Sequence, residues 1–487
     1  EGCGIEKHEQ INGKTLYDDY LRGHERNEQN RFGRDTCFSC TVKCKRVSQI
    51  DSGPFKTEAK YGGPEYETLA TFGSYCGISN MDAIIHANAL CNMYGMDTIS
   101  CGATISWAME CWSEGKINAE DTGGIKLEYG SAEAMVKMTE LIAKKEGFGK
   151  VLAEGSQKAS EIIGRGTEDY LITSKGQEAP AHMPQVKRSL SVIYAANPFG
   201  ADHESSEHDP AYKAYPERME KIGLTNPQEK LALNEEMMRF AMVTQHLSSA
   251  VDSLSVCAFV FGASFQLYGA DKLVEVLNAV TGWDVDIKEM LEVGERRLNM
   301  LRAFNSREGI GKESDTLPKK MFNRPLVGGK SDGYVIDKNQ WKKALEAIKS
   351  EHFDLVLMDV NMPEMDGISA LSLIMAERPV PVIMLSSLTQ KGALATFEAL
   401  NLGAVDFVAK PGGTISMSLD DVAADLIGKV RSVTKAKLRP GSQAKQAPIP
   451  RDTAPRTRAA RPAPAAQGRA TGVKDKVILI GVSTGGP

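Results

Sequence analysis

The sequence predicts a multidomain protein, mostly α over its first two thirds, then a partial α/β unit and a disordered connector. Three observations carry this. The chain has 487 residues, more than one hydrophobic core usually supports. Helix-opening and helix-closing residues recur at intervals through residues 1 to about 312. From about residue 345 short apolar runs alternate with amphipathic stretches, until a low-complexity segment begins.

In the α part, Ser79-Asn80 offers N-cap oxygens to a helix that runs through His86 and Leu90 and stops at Gly95. Ser131 opens a second helix that Gly147 closes, and Asp286 precedes a periodic stretch from Ile287 to Phe304. His86, on a helical face, reads as a packed or interface residue. A connector from about 313 to 345 contains Leu317-Pro318, Pro325 and Gly328-Gly329. Beyond it, Asp354 to Met358, Pro381 to Leu385 and Asp406 to Val408 read as strands. Helical patterns at 366–377, 389–402 and 418–433 separate them, which is the βα alternation of a parallel sheet. The domains so delimited are 1–340, 345–434, a connector over 435–473 and a terminal piece, 474–487. The connector is rich in Ala, Pro, Arg and Gln, with nine basic residues between Lys435 and Gly472 against one acid, Asp452. It buries too little apolar surface to repay its ordering entropy and reads as a solvated tether. KVILIGVSTGGP, ending at Pro487, adds one apolar strand and a Gly-rich turn.

With 42% hydrophobic and 25% charged residues and a net charge of −5, the composition is that of an ordinary globular protein. Nothing in it calls for nucleic acid. No apolar run approaches the roughly 18 residues of a membrane-spanning helix, and the first twenty residues are polar rather than signal-like, so the expected location is cytoplasmic, with no membrane partner. The chain opens at Glu1 without an initiator Met, and a missing upstream part is the expectation. Nine cysteines, an odd number all before residue 258, suit reduced thiols at a metal site better than disulfides.

Cys37, Cys40 and Cys44 form a C-x2-C-x3-C array that turns three thiolates toward one soft metal centre. The array by itself fits an iron-sulfur cluster and zinc about equally. Cys3, Cys76, Cys91, Cys101, Cys111 and Cys257 are candidates for a fourth ligand. Local pattern selects Cys257, because Asp252-Ser-Leu-Ser-Val-Cys257 has the form of Asn92-Met-Tyr-Gly-Met-Asp97.

CFSCTVKC, GGPEYETLATFGSYCGI, ALCNMYGMDTIS, NPFGADHE, DSLSVC and FNSREGIGKESDTLP occur in an order that resembles the tungsten-containing aldehyde ferredoxin oxidoreductase family over residues 1 to 340. The resemblance implies a [4Fe-4S] cluster on Cys37, Cys40, Cys44 and Cys257, beside a tungsten (or molybdenum) bound by two pterin dithiolenes. It implies pterin contacts from Asn92, Asp97 and Asp252. Two departures stand out: Asn92 replaces an acid, and Ser255-Val256 replaces Gly-Leu. Glu67 and His203 match the family's acid and histidine near the tungsten, with Glu65 and His208 as their competitors. The implied reaction is oxidation of aldehydes to carboxylic acids, with electrons passing through the cluster to ferredoxin. The implied partners are ferredoxin, the aldehyde and, as a homodimer, a second copy. Because the family begins with a further domain that walls the cofactor cavity, residues 1–487 alone are expected not to turn aldehydes over.

The later segment FDLVLMDVNMPEMDG places Asp359 at the carboxyl end of a buried strand, where open α/β sheets bind ligands. It resembles the phosphoacceptor loop of response-regulator receivers, with Ser386 and Lys410 matching the hydroxyl and lysine that contact the phosphoryl group. The text from VIMLSSLTQKG to FVAKPGG, with the terminal GVSTGGP, resembles chemotaxis protein-glutamate methylesterases, whose nucleophile corresponds to Ser483. The receiver's first strand, with its Mg2+-binding acids, is missing from residues 313–353. The strand at 354–358 is therefore expected to be a sheet edge, and Asp359 not to accept phosphate; return of Val477 to Ile480 across the tether is the alternative that would cover this edge. Two other functions compete with aldehyde oxidation: a phosphorylation-regulated methylesterase, and an iron-sulfur electron carrier.

Overall fold

In a computed structural model the described residues are 7–349, 355–360, 366–377, 380–386, 397–409, 425–430, 432 and 477–480. The chain divides into two compact units, Glu1–Ser350 and Glu351–Pro487. Lys410, Ser483, Cys3 and the tether lie outside the described residues.

The first unit is helical and built on two hydrophobic cores. A short helix α1 (Tyr66–Leu69) runs on into a π-helical turn, Ala70–Ser74. It packs with α2 (Met81–Tyr94), α3 (Thr98–Ser113) and α4 (Ala132–Lys144) around Phe72, Ile84, Ile105, Met109 and Met135. Each longer helix opens on a side-chain cap: the oxygens of Asn80, Asp97 and Ser131 accept from the amides of Ala83, Ser100 and Ala134. The expected stop at Gly147 falls earlier. Lys145 takes the left-handed conformation at φ 54°, and Glu146 N donates to Leu141 O, the six-to-one bond that ends a helix.

The second core is made by α5 (Arg188–Ala196), α6 (Glu235–Ser253), α7 (Ile287–Arg307) and α8 (Lys338–Lys349). α6 and α7 cross with their backbones almost touching: a Cβ on Gly294 would stand 1.8 Å from the His246 carbonyl oxygen, and Ser249 Oγ donates to Gly294 O at 2.9 Å. α8 runs unbroken over residues 338–349 and sets Trp341, Ala344 and Leu345 into this core, with the indole N–H bonded to Ser191 O at 3.2 Å.

The second unit is a four-stranded parallel sheet, with β1 (Leu355–Asp359), α9 (Gly367–Glu377), β2 (Val382–Ser386), β3 (Asp406–Ala409) and β4 (Val477–Ile480). The strand order is β3-β2-β1-β4. All five residues of β1 are buried; Val356 and Met358 pack on one face, Leu355 and Leu357 on the other. The expectation that this strand is an edge is corrected. Its free side pairs with β4, Leu355 opposite Val477 through Met358 opposite Ile480. A row of unpaired N–H and C=O groups on a strand buried on both faces is costly, whereas the closure entropy of a long tether grows only as the logarithm of its length. The strand that returns therefore wins.

Candidate active site between two helical cores

Glu67 sits at the first turn of α1, buried to 7% exposure. Its competitor Glu65 points outward, more than half exposed, into an ion pair with Arg46. Two segments of the second core's side of the unit come to meet Glu67. Ala181 N donates to its Oε2 at 2.7 Å, and His182 Nε2 lies 3.1 Å from its Oε1. His203 Nε2 lies 3.9 Å from the same oxygen and 3.2 Å from Glu204 Oε1. The His182 and His203 rings stack with centroids 5.0 Å apart, and Tyr66 stacks on the outer side of His182 at 5.5 Å. His182 approaches Glu67 Oε1 off the line of a good hydrogen bond and His203 stands beyond hydrogen-bond distance, so this buried oxygen completes none.

Lys187 sets the tautomers. Its ammonium lies 2.8 Å from His182 Nδ1 and 3.2 Å from His208 Nδ1, and an ammonium can only donate. The proton of neutral His182 is thereby held on Nε2, facing Glu67, and that of His208 on Nε2, directed at His203 O, 3.2 Å away. Burial lowers His182, opposed by Glu67 and reinforced by Lys187; burial and the surrounding cations push His208 down to about 2. Burial also opposes the charge on His203, but Glu204 and Glu67 outweigh it and its value is raised. Burial alone would raise Glu67, yet His182, the His203 charge and the Ala181 N–H carry it below the ordinary carboxylate value. The shifts thus favour a carboxylate beside a protonated His203, with His182 and His208 biased toward their neutral forms. Among the described residues, Glu67, His182 and His203 are the one group of three donors within 4.8 Å of one another. Lys187 argues against an ion there, since it leaves the proton of His182 where a metal would bind.

The two similar motifs attach to opposite sides of this centre. Asp97 caps α3, and the next residue, Thr98, bonds Thr68 through their hydroxyls at 2.9 Å, one residue from Glu67. Asn92 Nδ2 donates to Tyr61 O at 2.8 Å, in the loop leading to α1. A carboxylate could not make this bond, which accounts for Asn here, and the Asn92 carbonyl is left for another donor. Asp252 pairs with Arg297 at 3.2 Å. The Arg297 guanidinium lies over Phe199, in the NPFGADHE loop that carries His203. Asn305 Nδ2 donates to Pro198 O at 2.8 Å, and Arg302 bonds Ala196 O, fixing that loop to α7. Asn92, Asp97 and Asp252 are all exposed.

Cys37 and Cys257 are exposed and Cys40 and Cys44 half-buried, while Cys76, Cys91, Cys101 and Cys111 are buried; all eight are free thiols. Ser39 and Lys43, immediately before Cys40 and Cys44, and Ser255, two before Cys257, adopt positive φ between 51° and 55°. Ser255 stands three residues after Asp252, as Gly95 stands after Asn92, and both turns carry a six-to-one bond, Val256 N to Val251 O and Met96 N to Cys91 O. Ser255 occupies this left-handed turn under strain, where a glycine would not.

In the second unit, Asp359 ends β1, 1% exposed, and Ser386 ends β2 beside it. A Cβ on Gly367 would stand 2.0 Å from Asp359 O, so the backbone at 367 approaches that carbonyl only with glycine there. No periodic signal marks His182 or Lys187, which the motif reading misses, and Glu204 closes the NPFGADHE motif without being singled out there. What could have found them is clustering: three of the chain's eight histidines fall between 182 and 208.

Residues 3–351 match the family model described as aldehyde ferredoxin oxidoreductase, domains 2 & 3. The chain belongs to the aldehyde ferredoxin oxidoreductase family. It is 35% identical over 304 residues to the tungsten-containing aldehyde ferredoxin oxidoreductase of Pyrococcus abyssi, covering 62% of this chain and 47% of that one. Residues 329–418 match the response regulator receiver domain. A protein-glutamate methylesterase/protein-glutamine glutaminase of Carboxydothermus hydrogenoformans is 48% identical over 147 residues, 30% of this chain and 39% of the other. The chain therefore spans about half the length, or less, of these curated relatives. Among solved structures, the active site complex BamBC of benzoyl coenzyme A reductase aligns with a TM-score of 0.51 at 15% identity, over 70% of this chain and 59% of that one, a likeness of fold. The stretch 329–351, common to both family matches, contains α8, which packs into the second helical core.

Proposed function

We propose that residues 1–340 hold a tungsten bis-pterin centre and a [4Fe-4S] cluster, and that Glu67 accepts a proton as an aldehyde becomes a carboxylic acid. The observation that carries this is Glu67 Oε1: a buried carboxylate oxygen with no completed hydrogen bond, kept ionised by its neighbours, between two motif-bearing arms. Such an atom suits a general base. The residues fit both groups. Cys37, Cys40, Cys44 and Cys257 are free thiols set outside the cores, available to an iron-sulfur centre. The Asn92 carbonyl and the Asp97 and Asp252 carboxylates are exposed acceptors for pterin N–H groups. When bound, the tungsten centre supplies two-electron oxidation, and the cluster passes electrons singly to a ferredoxin-type carrier. The protein's own part is to orient the aldehyde against Glu67 and hold the proton that is released.

The test takes residues 1–487 together with the further domain expected ahead of them: anaerobic purification with tungstate supplied, then tungsten and iron analysis and dye-linked aldehyde oxidation. Glu67→Gln should abolish turnover while leaving both metals in place, and the acid limb of kcat should lie below pH 4.5, the ordinary carboxyl value. Undiminished turnover in this variant would remove Glu67 from the chemistry.

A further inference from the structure

Conversion of an aldehyde and water to a carboxylic acid releases two electrons and two protons. The electrons have a route through the metal centres; the protons need one of their own. Glu67 is too buried to lose a proton directly to water, and three imidazoles surround it. Two of these lead nowhere. His182 touches Glu67 through Nε2, but its other nitrogen ends on the Lys187 ammonium, a group that cannot accept a proton. His208 has both ring nitrogens engaged, with Lys187 and with His203 O. His203 differs. Its Nε2 stands between two carboxylates, Glu67 at 3.9 Å inside and Glu204 at 3.2 Å outside. The Glu204 side chain is 56% exposed against 8% for Glu67. Asp202 holds the turn between them, accepting from Glu204 N at 2.9 Å and from Ser205 Oγ at 2.6 Å.

We infer that Glu204 is the proton exit of the site, receiving through the single nitrogen His203 Nε2 the proton that Glu67 takes from the reaction. This rests on the function proposed above. The outward step comes first: the Nε2–H bond of the His203 imidazolium breaks as an O–H bond forms on Glu204, which then loses that proton to water. The neutral ring keeps its Nδ1 proton, tilts inward and takes the proton of the Glu67 carboxylic acid on Nε2. Glu67 is left ionised and His203 cationic, as at the start. No electron moves in these steps. The groups facing His203 are Glu67, His182 and His208 within the crevice, and Asp202 and Glu204 on its own loop; Lys187 lies behind the other two imidazoles. Glu204 is the outermost of these acceptors.

The test compares the wild-type protein with Glu204→Gln and Glu204→Asp. The first readout needs no cofactor: histidine-selective NMR titration of the full chain. The His203 imidazolium should lose its proton at lower pH in Glu204→Gln and recover in Glu204→Asp; a His203 titration indifferent to Glu204 overturns the inference whether or not the preparation turns over. In loaded enzyme, Glu204→Gln should lower kcat about tenfold or more with KM unchanged, and small diffusible buffers should restore the rate. Glu67→Gln should be inactive and beyond rescue by buffer. Loss in Glu204→Gln that no buffer repairs, or no loss at all, also overturns the exit role. Full activity in Glu67→Gln would overturn the proposed function, and the inference with it; a shifted titration without buffer rescue would sink the exit alone.

Discussion

Ser255 holds a left-handed turn with a Cβ that clashes there, at φ 54°, a conformation that costs a non-glycine residue roughly 1–2 kcal/mol. Ser255→Gly should therefore stabilise the first unit by about 1 kcal/mol after the larger chain entropy of glycine is subtracted, read as a higher denaturant midpoint at unchanged slope. Asp209 supplies a pH-dependent prediction. Burial pushes its carboxyl up to about 6, although Ser189 bonds it through both N–H and hydroxyl. A carboxyl raised on folding holds its proton more tightly in the native state, so its stabilising contribution is present at low pH. It is lost as pH rises from the unfolded value of 3.8 through about 6. Asp209→Asn keeps the acceptor for Ser189 N–H and should flatten this part of the stability curve, by a span on the order of 2–3 kcal/mol. Parallel curves for the two proteins between pH 4 and 6 would show that Asp209 is ionised throughout.

At the scale of elements, the α6–α7 crossing positions both Asp252 and the His203 loop, through Arg297, Arg302 and Asn305. It depends on backbone contact at Gly294, where a methyl group would meet the His246 carbonyl at 1.8 Å. Gly294→Ala should push the helices apart and cost about 3 kcal/mol; a loss under 1 kcal/mol would mean that the crossing is looser than described. The β1–β4 ladder gives the other prediction at this scale. Amides of Val477 to Ile480 that face β1 should exchange slowly with solvent, and replacing Ile478 by Pro should release them. Exchange at the rate of an unstructured peptide in the unaltered chain would return β1 to the status of an edge.

At the scale of the whole molecule, the four exposed or half-buried thiols belong to segments far apart in the chain, Cys37–Cys44 and Cys257. A cluster joining them closes a loop of more than two hundred residues, so its loss should be felt beyond the ligand loops. Anaerobic protein should be brown with about four irons per chain, and Cys37→Ala and Cys257→Ala should each lose the reducible cluster. The cluster-loaded protein should melt about 5 °C or more above the iron-free form. A full cluster in Cys257→Ala would assign the fourth thiolate elsewhere.

The features that the sequence by itself determined are those in which cause and effect lie within a few residues. Asn80, Ser131 and Asp286 open helices because their oxygens reach amides three residues on, at 3.1, 3.3 and 2.8 Å. The strands of the second unit were legible for the same reason: apolar runs such as LVLM suit a strand buried on both faces. The order of motifs was likewise enough to bring out the family. Tertiary structure decided the rest. Lys145 ends α4 ahead of Gly147 through a bond closed after it, and β4 finds β1 across a tether that carries no pairing information. Glu67 reaches His182 and His203, more than a hundred residues away, only because two separate cores dock around them. Desolvation in that crevice, with Lys187 behind and Glu204 in front, then sets which of its groups carry charge. No local pattern encodes that balance, because each charge is fixed by neighbours that the chain delivers from elsewhere.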